Sequence, residues 1–395
     1  MSWGRIVRPG GDNPARPLGS GLAGRIVRPM CAGKSAFITT RCYSPSGVQI
    51  WDGDHGNTVF ALSVASDGTI FQSGAAGGTA AILGPSLFHD GSDAPLVTAM
   101  FPGGRPIWSI KQSIGGPLFS YGIAAANNGY LYCGLNHPSN PDLLVKLTAT
   151  GGSDTLHLSA EGFYTGLTAN LILGRVRCDS SGNVYALSRA NNGLLKWVSD
   201  TEFWTFSDAD DGSFSCTGLG VSSDGIVFAA SDVAIFSPTT VNAFYIFNTA
   251  TSNLSPLTTP PYLAKATVTS TDPLDLRAGY QQAGVSPSGM AIAFNDVALR
   301  IEGIAATGTP DSPTVTAGAS VASLGGSSAS PYTAMAINDS GAYCYSTVRG
   351  VTGYSHVIRA ADNSLIASLD HGGVIYDAVV LSNGSVIVAG ERVAR

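Results

Sequence analysis

Seven short turns ending in glycine recur along the chain, Lys and Glu are scarce, and the last repeat stops two strands early. Together these predict an all-β fold, a β-propeller of seven blades whose last blade is closed by an N-terminal hairpin. The turn glycines are Gly68, Gly129, Gly182, Gly225, Gly289, Gly341 and Gly384, spaced 61, 53, 43, 64, 52 and 43 residues apart. Five Lys and four Glu stand against 49 Gly, and only 12% of residues are charged, about half the usual share. Lys and Glu are strong helix formers, so their scarcity removes the usual material of amphipathic helices. No apolar stripe of helical period runs beyond about three turns.

The stretch Gly174–Asp200 shows the unit best. An alternating run reaches Cys178, turns at Asp179–Gly182, continues through Val184–Ser188, and turns at Asn191–Gly193 into Leu194–Val198. Alternation with period 2, broken by Asp, Ser or Asn before Gly, is the hairpin pattern, because glycine supplies positive φ. The same pattern reads VASDG-TIFQS, AANNG-YLYCG, VSSDG-IVFAA, VSPSG-MAIAF, INDSG-AYCYS and VLSNG-SVIVA at the other glycines. Third and fourth strands are expected at Leu143–Leu147 with Thr155–Leu158, Ala243–Phe247 with Leu254–Leu257, and His356–Ala360 with Leu365–Leu369. After Gly384 only Ser385–Val388 remains before Arg395. The missing hairpin is expected at Ala36–Tyr43, turn Ser44–Gly47 and Val48–Asp52, which closes the ring and removes a free sheet edge. An eighth blade is drawn if Gly24–Arg41 is aligned with the Gly174 stretch.

Residues 1–34 form a different region, expected as an extended Gly/Pro/Arg arm ahead of a propeller spanning 35–395. Residues 1–30 carry +4, leaving −10 for the rest of a chain at −6 overall. That body lacks the basic face of a nucleic-acid binder. The arm contains GRIVRP twice. Arg5, Ile6, Val7 and Arg8, and again Arg25, Ile26, Val27 and Arg28, are candidate partner contacts: a short strand for edge addition flanked by guanidinium forks. The bland alternative is a solvated leader. No run of 18 apolar residues spans a membrane, and the N-terminus shows no secretory signal. The six cysteines lack metal spacing and fit small buried hydrophobes.

The segment CDSSGNVYALSRANNGLLKWVSD, from Cys178 to Asp200, resembles the NHL and related propeller repeats, where DxxGNVYV and a following Asn-Asn turn are typical. The resemblance implies the fold and brings no catalytic residue, since these families share a scaffold rather than a chemistry. Quinone-cofactor propellers are similar in topology, but their tryptophan-docking repeats and vicinal cysteines are absent here, so no cofactor is expected.

The remaining chemical candidates are weak beside their bland readings. Asp52, Asp54 and His55 place two carboxylates and an imidazole together, part of a metal site or an ordinary interblade loop. The 207–212 loop fails the calcium-loop pattern, which needs its glycine one place later than Gly212 and a bidentate Glu downstream. His89–Asp90 and Asp370–His371 offer half of a triad, yet no GxSxG elbow accompanies them and each also reads as a turn. Trp108, Tyr121 and Trp204 are the candidate exposed aromatics for a glycan or host contact.

The expected function is therefore structural rather than enzymatic. The composition, with its basic anchoring terminus, resembles propeller components of tailed-bacteriophage tails or necks. That resemblance implies a virion protein made in host cytoplasm and assembled as an oligomer. Its partners would be other virion proteins, namely portal, adaptor, tail tube or fibre. A carbohydrate-binding adhesive propeller, and a propeller hydrolase or lyase, are the alternatives.

Overall fold

The structure is a computed structural model, and it describes residues 37–54, 58–76, 97–110, 118–127, 129–137, 140–150, 157–163, 173–188, 193–197, 203–206, 216–233, 239–248, 262–270, 278–295, 300–309, 312–320, 334–349 and 353–394. The basic arm, its eight candidate contact residues, His55, His89 and the 207–212 loop all lie outside these residues, as does most of the stretch that suggested an eighth blade.

The described chain opens with a hairpin, β1 (Phe37–Tyr43) and β2 (Gln49–Gly53). A first meander follows: β3 (Val59–Val64), β4 (Ile70–Ala76), β5 (Val97–Met100) and β6 (Pro106–Ile110). The second is β7 (Leu118–Ala125), β8 (Leu131–His137), β9 (Asn140–Thr150) and β10 (His157–Phe163). The third is β11 (Leu173–Cys178), β12 (Val184–Ser188), β13 (Gly193–Trp197) and β14 (Phe203–Phe206). The fourth is β15 (Cys216–Val221), β16 (Ile226–Val233), β17 (Thr239–Asn248) and β18 (Tyr262–Ser270). The fifth is β19 (Ala278–Val285), β20 (Ala291–Asn295), β21 (Arg300–Thr309) and β22 (Ser312–Ser320). The sixth is β23 (Met335–Ile337), β24 (Tyr343–Arg349), β25 (Gly353–Arg359) and β26 (Leu365–Asp370). The chain then makes β27 (Ile375–Val380) and β28 (Val386–Ala394), and these join the opening hairpin in a sheet of order β2-β1-β28-β27.

All these ladders are antiparallel. The ladder of β1 with β28 sets Arg41 opposite Val388, Cys42 opposite Ile387 and Tyr43 opposite Val386. The N-terminal hairpin therefore completes the last sheet as the sequence predicts. Short pairings of β4 with β7 and β16 with β19 fuse two pairs of adjacent meanders into longer sheets. The opening strands β3, β7, β11, β15, β19, β23 and β27 each contact the next, and β27 contacts β3. They consequently surround one axis. Alternating side chains from each sheet pack into apolar cores at the seams, and the seam of the last sheet with the first is filled by Cys42, Trp51, Val59, Leu62, Ile70 and Met100.

One strand differs from expectation. The ladder partner of β17 is β18, with Ile246 opposite Ala264 and Tyr245 opposite Lys265, rather than Leu254–Leu257, which lies outside the described residues. Pro256 interrupts that shorter run and has no N–H to give a ladder. Tyr262–Ser270 carries no proline and keeps a donor at every position.

Candidate functional site

The inner turns share one construction. All seven turn glycines have φ between +81° and +90°, where an L side chain is strained. The first residue of the turn often caps it through its side chain. Asp179 Oδ1 accepts the N–H groups of Ser181 and Asn183, and Oδ2 accepts the Tyr185 hydroxyl at 2.9 Å. Asn338 Oδ1 does the same for Ser340 and Ala342, and the Ser222 and Ser286 hydroxyls accept from Ile226 and Met290. This is why Asp, Ser or Asn begins four of the seven turns; Ala65, Ala126 and Leu381 open the others with the backbone bond alone.

Neighbouring turns are also tied to one another. Ser180 N–H donates to the Ser223 carbonyl at 2.9 Å, and Ser223 N–H to the Pro287 carbonyl at 2.8 Å. Ser288 N–H donates to Asp339 Oδ1 at 2.7 Å, and the Asn338 side-chain amide to the Leu381 carbonyl at 2.9 Å. The Ser288 N–H holds the Asp339 carboxyl below its ordinary range. A chain of hydrogen bonds thus runs through five consecutive turns around one mouth of the axis.

Across the axis itself lies a buried ion pair. Asp377 on β27 is 1% exposed, and its Oδ1 accepts from Arg175 Nη1 at 2.7 Å. Arg175 Nη2 donates to the Tyr376 carbonyl at 3.1 Å, and Arg177 Nη2 lies 3.4 Å from both Asp377 oxygens. The Leu62 N–H, on β3, donates to Oδ2 at 2.9 Å. The arginines belong to the third meander and Asp377 to the closing sheet, with two units between them one way round and three the other, so their side chains bridge the ring. Burial pushes the Asp377 carboxyl up, but the two guanidiniums and the Leu62 N–H outweigh it, and it titrates below the ordinary carboxylate range. Such an arrangement fixes strands and offers the carboxylate no free lone pair for proton transfer.

The sequence reading missed this group, although a signal for it exists. Arg175 and Arg177 are two apart on one strand and share a face, and Asp377 interrupts the apolar run IYDAVV. Charges at such places are costly unless paired, which is the signal. Their pairing across 200 residues of sequence was not readable.

The residues singled out from sequence are scattered. Trp108 is 5% exposed and packs against Phe71, ring centroids 6.1 Å apart, in the seam of the first and second meanders. It is a core residue, because it falls on the inward face of β6, and it is not a glycan platform. Tyr121 lies on β7 and Trp204 on β14, opposite Lys196. Asp52 sits opposite Arg41 and accepts from the Gln49 amide at 2.8 Å, and Asp54 follows the end of β2. Among the described residues no three His, Cys, Asp or Glu gather as a metal site would require. Asp370 spends its carboxylate on the Gly372 N–H at 2.8 Å, while the His371 ring faces the Glu391 carbonyl, so the Asp–His pair is a turn and not half of a triad. Burial raises the thiols of Cys42, Cys133 and Cys344 to about 12, which suits inert core residues.

Beside the turn mouth, a cleft of about 310 Å³ opens between the sixth meander and the closing sheet. Ile358, Ile366, Val380 and Val386 line it, with Ser340 and Asn383 among its polar groups.

No protein-family model matches the chain, and no curated protein matches it in sequence. In structure it is similar to YCF48 bound to a D1 peptide, with a TM-score of 0.50 and 9% identity over 85% of this chain and 92% of that one. It is similar also to a catalytically inactive virginiamycin B lyase from Staphylococcus aureus with quinupristin, with a TM-score of 0.50 and 8% identity over 85% and 96% of the two chains. Both are β-propellers, and the fold of this chain is a β-propeller. At such identity the likeness speaks for the scaffold alone.

Proposed function

We propose that this β-propeller is a structural component of a particle, a tail or neck protein of a tailed-bacteriophage virion, serving as a rigid platform for protein partners. The observation that carries the structural reading is the Arg175–Asp377–Arg177 group. It occupies the axis, the place where the inner ends of the blades would otherwise gather reacting groups, and it ties opposite sides of the ring together. Ser, Thr, Gly and Ala in place of Lys and Glu, and the basic 1–34 region, support the virion assignment by composition. In this reading residues 1–34 fasten the ring to a portal, adaptor, tube or fibre protein.

Light scattering on the full-length chain and on the chain lacking residues 1–34 tests the proposal. The cut spares β1, which begins at Phe37. The expected result is an oligomer or reversible assembly for the full chain, and a folded monomer for the shortened one. Two indistinguishable monomers would remove the platform reading and redirect the search to glycan binding and hydrolysis.

A further inference from the structure

The seam between the sixth meander and the closing sheet buries two histidines. His356, on β25, is fully buried and tilts against Tyr43 of β1, ring centroids 5.0 Å apart. Neither of its ring nitrogens has a hydrogen-bond partner. His371, between β26 and β27, is buried as well: its Nε2 lies 3.2 Å from the Glu391 carbonyl and its Nδ1 is unpartnered. Arg41, on β1, donates from Nη1 to the Asp370 carbonyl at 2.8 Å, and its buried Nε has no partner.

The groups that could offset new positive charge are engaged elsewhere. Asp370 accepts from the Gly372 N–H, and Glu391 on β28 accepts from the Val374 N–H at 3.0 Å and the Tyr376 hydroxyl at 3.3 Å. Asp52 on β2 lies opposite Arg41 in the ladder and takes the Gln49 amide. β24 contributes Cys344, a neutral buried thiol, and Ser346, opposite His356. β1 adds Tyr43, whose ionisation burial pushes upward. The seam already holds one cation, Arg41, and a protonated histidine would stand beside it in a buried place.

We infer that His356 and His371 form an acid-sensitive latch: their protonation beside Arg41 parts this seam and frees the β1–β2 hairpin from the ring. Burial lowers His356 from 6.5 to about 3, with His371 and Arg41 adding to it. Burial and then Arg41 lower His371 to about 4, against the Glu391 carbonyl and Asp370. In the opened state both return toward 6.5 and bind protons first, so acid favours opening. Stability from the pair is complete above about pH 6.5 and drains away as pH falls toward 4. Each histidine multiplies the opening equilibrium by up to about tenfold per pH unit in that window. The Asp377 carboxyl, titrating lower, stays out of it.

Hydrogen–deuterium exchange on the full chain, at pH 7 and pH 5 and corrected for the intrinsic pH dependence, tests the latch. Peptides covering β1 and β28 should lose at least tenfold protection relative to peptides covering β12 and β13. Uniform change, or none, would overturn the inference. A second measurement compares thermal midpoints across the same range for the chain and its His356→Phe/His371→Gln variant. The variant should hold its midpoint where the parent falls, and parallel decline would sink the latch. If the variant does not fold at pH 7, exchange in the unaltered chain still decides.

Discussion

Single residues hold this ring at places where the chain approaches itself closely. Asp377 receives two guanidiniums and a backbone N–H while almost wholly buried, so removing its charge takes away the buried carboxylate that Arg175 and Arg177 share. Asp377→Asn should cost about 3 kcal/mol in urea unfolding, whereas a loss under about 0.5 kcal/mol would mean that water already screens the arginines. Acid acts on the same group in a different window from the histidines. Its lowered pKa gives stability that is complete above roughly pH 4 and is lost as pH falls further. Gly104 is a second such place. Its φ is +78°, and a Cβ there would lie 2.4 Å from the Trp51 ring, whose Nε1 donates to the Pro102 carbonyl at 3.1 Å. Gly104→Ala should destabilise by about 1–3 kcal/mol. Gly103→Ala, where nothing lies within 4 Å, should stay within about 0.5 kcal/mol. Equal thermal midpoints for the two variants would show that the Trp51 contact yields freely.

At the scale of elements, the closing hairpin carries the most weight for its length. β1 covers the outer edge of β28, and without it that edge would present unpaired N–H and C=O groups beside the apolar Val386–Ala389 run. A chain lacking residues 1–53 should therefore aggregate or unfold at temperatures where the chain lacking 1–34 stays soluble. Equal solubility and equal circular dichroism for the two would mean that β27 and β28 need no cover. Both the hairpin and its partner were legible, because alternation and a Ser-Pro-Ser-Gly turn are local signals, and the shortfall at the other terminus told where they belong. Strand placement missed β18: the sequence reading pairs Ala243–Phe247 with the nearer run Leu254–Leu257, while the ladder partner is Tyr262–Ser270. Much of the site was illegible for a different reason. His356, His371 and Arg41 stand 15 and 315 residues apart in sequence, and no local pattern encodes which side chains meet across a seam. The same holds for Trp108, an aromatic whose face depends on the register of β6.

For the molecule as a whole, the question is whether a closed ring unfolds as one unit. Each seam core draws side chains from two sheets, so opening any seam uncovers apolar surface on both sides. With the last sheet built from both ends of the described chain, no meander can leave without breaking two seams, and the Arg175–Asp377 pair adds a tie across the axis. These features favour a single cooperative transition, unlike the graded melting of open repeat arrays. Three buried thiols mark two stations of the ring: Cys42 on β1 and Cys344 on β24 lie at the closing sheet, and Cys133 on β8 lies in the second meander. In urea below the unfolding midpoint at neutral pH, maleimide labelling followed peptide by peptide should modify all three at one common rate. That rate should follow the global unfolding equilibrium. Faster labelling of Cys133 than of Cys42 and Cys344 would mean the second meander opens alone and the ring is a loose array. Faster labelling of Cys42 and Cys344 would place the weak point at the closing sheet even without acid, and residues 1–34, which lead directly into β1, would then be the handle by which a partner controls it.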